Sequence, residues 1–349
     1  MGGGDGRRFR MKVFITGGSG LVGRHVIQAL RGRGDTVRAL ARGDAAVADL
    51  AAQGAEPVRG DLADAARLGE AIAGSDAVVH AAAILLSGGT WATWHATNVL
   101  GTEAVACAAA RAGARLIHLS SVAVYGRRTT YDRGPGSVDE DFGLDRPLYT
   151  GDHYARSKRE SELAVWRVAD ETGLRAVALR PCVIYGEGDR HFAPRVARVL
   201  ARGLAPLIGP GDNPLSVVYA GNVAAAVLAA LDCRDATGPF NVTNDGGVTQ
   251  RQFVERFAAG LGVSVRRIRF PHALAWGGAR LWDATAGALA GWKGLLSARS
   301  SVQFLASPNP YTSARAERVL GWRPAVPALE AVERTGRSFR PRREAPPHP

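Results

Sequence analysis

The sequence predicts an α/β fold built on a doubly wound parallel sheet, and three observations predict it. Short β-branched apolar runs alternate with helical stretches through the first 120 residues. A glycine-rich turn joins the first such run to the first helix. The spacing between successive runs leaves room for a helical crossover each time, which is the mark of βαβ units and hence of parallel pairing.

Each element has its own signal. Residues 12–16 (KVFIT) read as a strand and 21–31 as the helix that follows. Residues 36–40 give a second strand and 45–53 a second helix. A short third strand starts at Pro57 and ends at Asp61, and a helix fills 63–73. The run AVVHAA at 77–82 has no polar alternation beyond one histidine, as expected of a strand covered on both faces. A long helix over 97–112 and a strand over 115–120 complete the pattern. Residues 126–152 are rich in Gly, Pro, Asp and Arg and read as a long loop, the kind that is usually functional in a compact domain. A helix over 153–172 and a sixth strand over 175–180 follow. Beyond Pro181 the order is less regular, with helices at 192–203, 222–232 and 249–261 and a strand at 239–243.

Composition bounds the rest. The 349 residues are 46% hydrophobic and 22% charged, an ordinary globular balance that excludes long disorder and collagen-like repeats. Three widely spaced cysteines (Cys107, Cys182, Cys233) give neither a disulfide framework nor a zinc pattern, and suit a cytoplasmic location. No metal site is expected. The formal charge of +12 invites a polyanion partner, but 41 of the 44 basic residues are arginine, which reads as a coding bias. Part of the charge also sits in the tails, so nucleic acid is not expected as a partner. Residues 1–10 carry no apolar stretch and are expected to be a disordered leader before a start at Met11, and 340–349 a disordered tail. No apolar run is long enough for a transmembrane segment. The nearest, 273–296, is broken by Arg280, Asp283 and Lys293 and reads as helical segments with an apolar face, for which membrane-surface contact is an open alternative.

The turn Thr16-Gly17-Gly18-Ser19-Gly20-Leu21-Val22-Gly23 follows a strand and opens a helix. Gly17, Gly20 and Gly23 let a backbone approach a pyrophosphate, and the helix start supplies free N–H groups and positive potential. A Rossmann-type dinucleotide site is the reading, with Leu21 and Val22 in the same turn; a tight packing turn is the alternative. The second strand ends Arg38-Ala39-Leu40-Ala41-Arg42-Gly43-Asp44. Arg42 is the first polar side chain in reach of a ribose, which favours NADP(H) over NAD(H); Asp44 comes two residues later. Asp61 and Leu62 follow the third strand and suit the adenine, with a helix N-cap as the alternative for Asp61.

Tyr154 and Lys158 stand at i and i+4, on one helical face. A lysine ammonium beside a phenol stabilises the phenolate and makes the tyrosine a usable acid and base. A lysine at this place is informative in a chain that otherwise uses arginine. Ser120 and Ser121 end the fifth strand, where a hydroxyl can bond a reacting oxygen. Asn98 lies early in the long helix, where an amide can kink the helix and hold a water in a proton relay, or simply cap locally.

Taken together, TGGSGLVG, GDL (60–62), VVHAAA (78–83), NVLGT (98–102), LSSVAVYG (119–126), YARSK (154–158) and LRPCVIYGEGD (179–189) resemble the extended short-chain dehydrogenase/reductases, the NAD(P)-dependent epimerase/dehydratase-like family. SARAERVLGWRP (313–324) is similar to the family's C-terminal segment, so the resemblance spans about 11–335. It implies a Rossmann domain over 11–190, a mainly substrate-binding α/β region over 191–339, and a homodimer as the default assembly. It further implies that Ser121, Tyr154, Lys158 and Asn98 are catalytic and that Ser120 is a neighbour. It adds Ala81, Ala82, Pro181 and Val183 to the cofactor surface, which Tyr154 and Lys158 also touch. Val122 and Ala123 occupy the places where the family's sugar dehydratases carry an Asp-Glu pair. Val183 stands where many nucleotide-sugar epimerases have asparagine. With VVYAGNVAAA (217–226) and NVTNDGGVTQRQF (241–253), the chain looks more like the 3β-hydroxysteroid dehydrogenases and the 2-alkyl-3-oxoalkanoate reductases. The expected activity is hydride transfer between a nicotinamide cofactor and a ketone/secondary alcohol pair on an apolar small molecule. An epimerase holding its NAD, or a non-catalytic dinucleotide-sensing or nucleic-acid-binding protein, are the alternatives. Trp276, Trp282 and Trp292 would suit such a ligand or a core helix pair, and loop 126–152 and the segments beyond 181 are expected to shape the pocket.

Overall fold

The computed structural model describes residues 10–85, 90–126, 130, 133–148, 151–243, 245–289 and 298–340. Most of the expected leader and tail, and Trp292, lie outside the described residues. The strands are β1 (Lys12–Thr16), β2 (Thr36–Ala41), β3 (Glu56–Arg59), β4 (Ala77–His80), β5 (Arg115–Leu119), β6 (Ala176–Pro181), β7 (Val183–Tyr185), β8 (Leu204–Ile208), β9 (Val217–Tyr219), β10 (Gly238–Val242) and β11 (Arg266–Phe270). Seven of them form one parallel sheet in the order β10-β6-β5-β4-β1-β2-β3. The order reverses at β1, and the open crevice beyond the strands' carboxyl ends at such a reversal is where ligands bind. Two small parallel pairs, β7–β9 and β8–β11, lie beyond the main sheet.

Side-chain alternation sorts the core. Val13 and Ile15 of β1 face one side, with helices α1 (Leu21–Gly32) and α2 (Asp44–Ala52). Phe14 faces the other, with α3 (Ala65–Ile72), α4 (Trp91–Trp94) leading into α5 (Gly101–Arg111), and α6 (His153–Thr172). Central strands β4 and β5 are buried along their whole length because helices cover both faces. After α7 (Ala193–Leu200), helix α8 (Ala220–Asp232) returns to the first face through Val223, Val227 and Leu231. Together α8 and β10 complete the large sheet, so that sheet draws on chain both before and after residue 190.

The second core is built on α7, α9 (Gln250–Leu261), α11 (Ala298–Ala306) and α13 (Ala328–Ser338), while α12 (Ala314–Leu320) packs on the first core through Ala316 and Leu320 and α10 spans His272–Leu289. Phe253 and Phe257 of α9 meet Ala331 and Val332 of α13 and Phe304 of α11. A Thr249–Gln252 capping box starts α9. Gly260 and Gly336 let the two helices cross in backbone contact. A Cβ on Gly260 would lie 2.0 Å from the Glu333 carbonyl oxygen, and one on Gly336 2.3 Å from that of Phe257. Neither oxygen can move without moving a helix. Gly260→Ala is therefore expected to destabilise the protein by about 2–3 kcal/mol, against the gain in helix propensity that alanine usually brings. A urea melt with unchanged slope and a lower midpoint is the check.

One long helix differs in extent from the sequence expectation. The long helix begins at Trp91 rather than 97 and includes a π-helical turn over His95–Leu100. Helix α10 ends at Leu289, and residues 290–297 lie outside the described residues.

Candidate active site

The glycine turn fits a dinucleotide pyrophosphate. Gly17 has a positive φ of 74°, and a Cβ there would lie 2.6 Å from the Ala81 backbone. One on Gly23 would lie 2.2 Å from the Gly17 carbonyl oxygen. These two glycines pull the start of α1 down against the end of β4. At Gly20 the nearest atom to a Cβ is the Gly17 oxygen at 3.2 Å, so its cavity side stays open. Gly20 is also the N-cap, and no side chain caps the helix. The uncapped N–H groups face a cavity of about 1030 Å³ that Gly17, Gly20, Leu21, Val22 and Gly23 all line.

Every other expected site residue except Asn98 lines this one cavity: Arg42, Asp61, Leu62, Ala81, Ala82, Ser121, Tyr154, Lys158, Pro181 and Val183. Ser121 caps a short 3-10 turn over Val122–Tyr125, its Oγ accepting from the Ala123 N–H at 3.2 Å. Tyr154 is half-buried, with its ring edge-on to Trp94 at 6.3 Å. Lys158 is 5% exposed and its Nζ donates to the Leu119 carbonyl at 2.6 Å. Burial lowers its pKa to about 8, with the Glu162 carboxylate pulling the other way.

Sequence reasoning missed what stands behind these groups. Glu162 lies one turn past Lys158 and is fully buried against Arg180, with a 2.5 Å ion pair. Ser120 Oγ and Trp166 Nε1 also donate to Glu162. Arg180 donates on to the Tyr125 hydroxyl, which donates to Asn241 Oδ1. Burial works against the Arg180 charge, but Glu162 and Tyr125 outweigh it and hold the guanidinium more firmly protonated than usual. The i+4 spacing from Lys158 to Glu162 was the one available signal. Both serines line the cavity, but Ser120 Oγ is committed to Glu162 while Ser121 Oγ accepts from the Ala123 N–H.

Asn98 sits in the π-turn, buried and off the cavity wall. Its Oδ1 accepts from Ile84 N at 2.8 Å, and its Nδ2 donates to Ile84 O and to Ser157 Oγ. The amide thus ties the chain after β4 to α6. Beside it, Thr102 Oγ1 donates to the Asn98 carbonyl at 2.6 Å. His80 Nε2 must then donate to Thr102, and His80 Nδ1 accepts from Thr16 Oγ1 at 2.6 Å. His118 stacks on His80 at 5.4 Å, and neither of its ring nitrogens has a hydrogen-bond partner. Burial, then the Lys158 charge, depresses both: His80 to about 3 and His118 well below its usual value. The unfolded chain binds protons at both below about pH 6.5 while the fold does not, so stability present above pH 6.5 is lost as pH falls. His80 alone is expected to cost about 2 kcal/mol by pH 5, and His118 acts in the same direction. His118→Leu should shrink the acid loss, measured by urea melts at pH 7 and pH 5.

Near the end of β2, Arg42 is exposed on the cavity lining and Asp44 is held by Arg59, which lowers its carboxyl pKa. Asp61 accepts from Ala63 N at 3.0 Å, and the cap of α3 is Asp64, so the N-cap alternative for Asp61 does not hold. At the far end the wall comes from Cys182, Ile184, Phe192 and Val196, from Phe304 and Leu305 of α11, and from Tyr311. Arg190 and Arg195 add positive donors there, beside the His191 ring. All of these lie in the segments beyond 181 that were expected to shape the pocket, but among the described residues neither the tryptophans nor loop 126–152 contributes. Trp276 and Trp282 do not line it, and Trp282 is 50% exposed. The described part of loop 126–152 also stays off it, with Val138 bridging to Tyr311 and Glu140 accepting from Asn241 N. Among the described residues no cluster of three or more His, Cys, Asp or Glu side chains could hold a metal.

Comparison with known proteins agrees with this geometry. The sequence profile of the NAD dependent epimerase/dehydratase family matches residues 13–244. A 2-alkyl-3-oxoalkanoate reductase of Stenotrophomonas maltophilia is 32% identical over 335 residues, covering 93% of this chain and 98% of its own. A 4-hydroxy-2-methyl-3-oxo-4-farnesyl-3,4-dihydroquinoline-1-oxide ketoreductase of Stigmatella aurantiaca is 30% identical over 93% of this chain and 97% of its own. Among solved structures, a UDP-glucose 4-epimerase of Thermotoga maritima superposes with a TM-score of 0.71 at 20% identity, over 94% of this chain and 98% of its own. That likeness speaks for the fold alone.

Proposed function

Because the chain belongs to the NAD-dependent epimerase/dehydratase family, we propose that it is an NADP(H)-preferring oxidoreductase that interconverts a ketone and a secondary alcohol on an apolar small molecule. One observation carries the reading: a single cavity runs from the glycine turn past Ser121, Tyr154 and Lys158 to an apolar wall with basic donors. We assign Gly17, Gly20, Leu21, Val22 and Gly23 to the pyrophosphate, Arg42 to a 2′-phosphate, and Asp61 and Leu62 to the adenine. Ala81, Ala82, Pro181 and Val183 complete the cofactor surface. When bound, the nicotinamide supplies or accepts the hydride.

The chain's own residues manage the proton. In the reductive direction Tyr154 gives its hydroxyl proton to the substrate oxygen, and Ser121 Oγ donates a hydrogen bond to that oxygen and orients it. Lys158, still cationic at neutral pH, favours the phenolate that remains on Tyr154. Asn98 positions Ile84 and α6 around them.

The far wall favours an acyl chain bearing an acid group, as the Stenotrophomonas relative's name describes for its own substrate. Nicotinamide absorbance should report NADPH consumption with a 2-alkyl-3-oxo acid and much less with its methyl ester. Cofactor that copurifies and shows no net turnover would instead support an epimerase. For the cofactor, Arg42→Ala is expected to raise KM for NADPH by about 10- to 100-fold, the loss of one charge-assisted hydrogen bond, and to leave KM for NADH nearly unchanged. Equal effects on both would remove the 2′-phosphate assignment. We further expect a cytoplasmic homodimer, with three free cysteines suiting a reducing compartment and Leu100 and Leu163 exposed beside α5 and α6.

A further inference from the structure

Among the described residues, helix α10 is anchored through one side. Its inward side carries Ala279, 6% exposed, and Asp283, whose carboxylate accepts from Ala298 N and Arg299 and so fastens the start of α11. The outward side carries Leu274, Leu281 and Trp282 at i, i+7 and i+8, exposed by 69%, 66% and 50%. Gly277 and Gly278, between them, have nothing within 4 Å of where a Cβ would stand. Phe270, at the end of β11, extends the patch and is 42% exposed. These exposed apolar side chains stand on a helix that sequence reading took for a core pair or a ligand wall, with membrane-surface contact as an open alternative, and the cavity uses none of them.

The charge around it has one sign. Arg266 and Arg269 stand exposed on β11, and Arg280 on α10 flanks the apolar stripe. Among the described residues no acidic side chain pairs with any of the three. The acids in the neighbourhood are already taken, Glu255 by Arg267 and Asp283 by Arg299. An apolar stripe rimmed by uncompensated arginines has the chemistry of a helix that lies in a lipid interface, its apolar side chains in the acyl boundary and its cations at the headgroups. A second copy of this chain is the poorer occupant. A two-fold contact would press these same three arginines against their symmetry mates.

We propose that the outward face of α10, with β11, docks this protein on an anionic bilayer surface. The inference goes beyond the proposed reaction and does not depend on it. It does place α11, whose Phe304 and Leu305 line the cavity, directly behind the docked helix, so an apolar molecule leaving the bilayer would meet the cavity wall next.

The test is co-sedimentation of the full chain with vesicles of phosphatidylcholine alone and of phosphatidylcholine mixed with phosphatidylglycerol, at low and high salt. Binding is expected to the mixed vesicles at low salt and to weaken with salt. A Leu274→Glu, Leu281→Glu double variant and an Arg266→Gln, Arg269→Gln, Arg280→Gln triple variant should each lose at least about tenfold in partition. Unchanged melting temperatures would show that both fold. No binding to mixed vesicles at low salt overturns the proposal. So does undiminished binding by either variant, which would move the contact to the basic tails. A wild-type oligomer that the leucine variant dissolves also overturns it, because the face is then an interface between copies.

Discussion

Tyr154→Phe is expected to lower kcat by about three orders of magnitude while NADPH still binds with unchanged affinity. The substitution removes one oxygen and keeps the ring. The edge-on contact with Trp94 at 6.3 Å survives, and so does the α6 face that carries Lys158. What disappears is the hydroxyl that gives up the proton. Ser121 does not replace it, since its own proton leaves only at a pH far above the working range. Lys158 does not replace it either: its Nζ is engaged with the Leu119 carbonyl at 2.6 Å, on the strand side of the helix. Steady-state kinetics and a fluorescence titration with NADPH separate the two quantities. Turnover within about tenfold of the parent would mean that another group delivers the proton.

The largest effect on folding is expected from Glu162→Gln. Glu162 is fully buried, accepts from Arg180, Ser120 and Trp166, and is the carboxylate that compensates the Arg180 charge. Glutamine keeps the shape and removes the charge, leaving a guanidinium buried at 2% exposure with no counter-ion. Breaking a buried pair from one side costs about 3–5 kcal/mol, a large share of a typical domain's stability. Removing both charges costs far less, so Glu162→Leu combined with Arg180→Met should recover most of the loss. A second readout belongs to the site alone. Glu162 raises the Lys158 pKa against the burial that lowers it to about 8, so the glutamine variant should lose the Lys158 cation at lower pH. The alkaline limb of its pH–rate profile should move toward neutrality. Unfolding without that shift would make the pair purely structural.

Much of this was legible in the sequence because local signals coincide with global ones. The run 153–172 is the observed α6, and its start is marked by the Asp152 cap, whose Oδ1 accepts from Ala155 N. The central strands β1, β4, β5 and β6 announce themselves as apolar runs because both faces are covered. The glycine turn was readable because Gly17 and Gly23 answer to backbone contacts between neighbouring elements. Asn98 was placed on a distorted helix for a sound reason, but its partners Ile84 and Ser157 lie 14 and 59 residues away and leave no local trace. Within the segments beyond 181, α11 was not singled out for the far wall because it reaches the cavity by a tertiary return that no short window contains. The tryptophans, taken for ligand contacts or core, gave way to plainer side chains such as Phe304 and Val196.

One topological detail bears on how the chain is made. Strand β6 pairs with β5 on one edge and with β10 on the other. During synthesis, β6 and the groups around it emerge before α7, α8 and three intervening strands. Until Gly238–Val242 leaves the ribosome, β6 therefore presents an open strand edge, and the sheet face beneath Val177 and Leu179 waits for α8 to cover it. Such an edge is a template for wrong pairing. The nascent enzyme thus passes through a stage in which its catalytic groups are already made but its sheet is not closed, and stalling there is where aggregation and chaperone demand should concentrate.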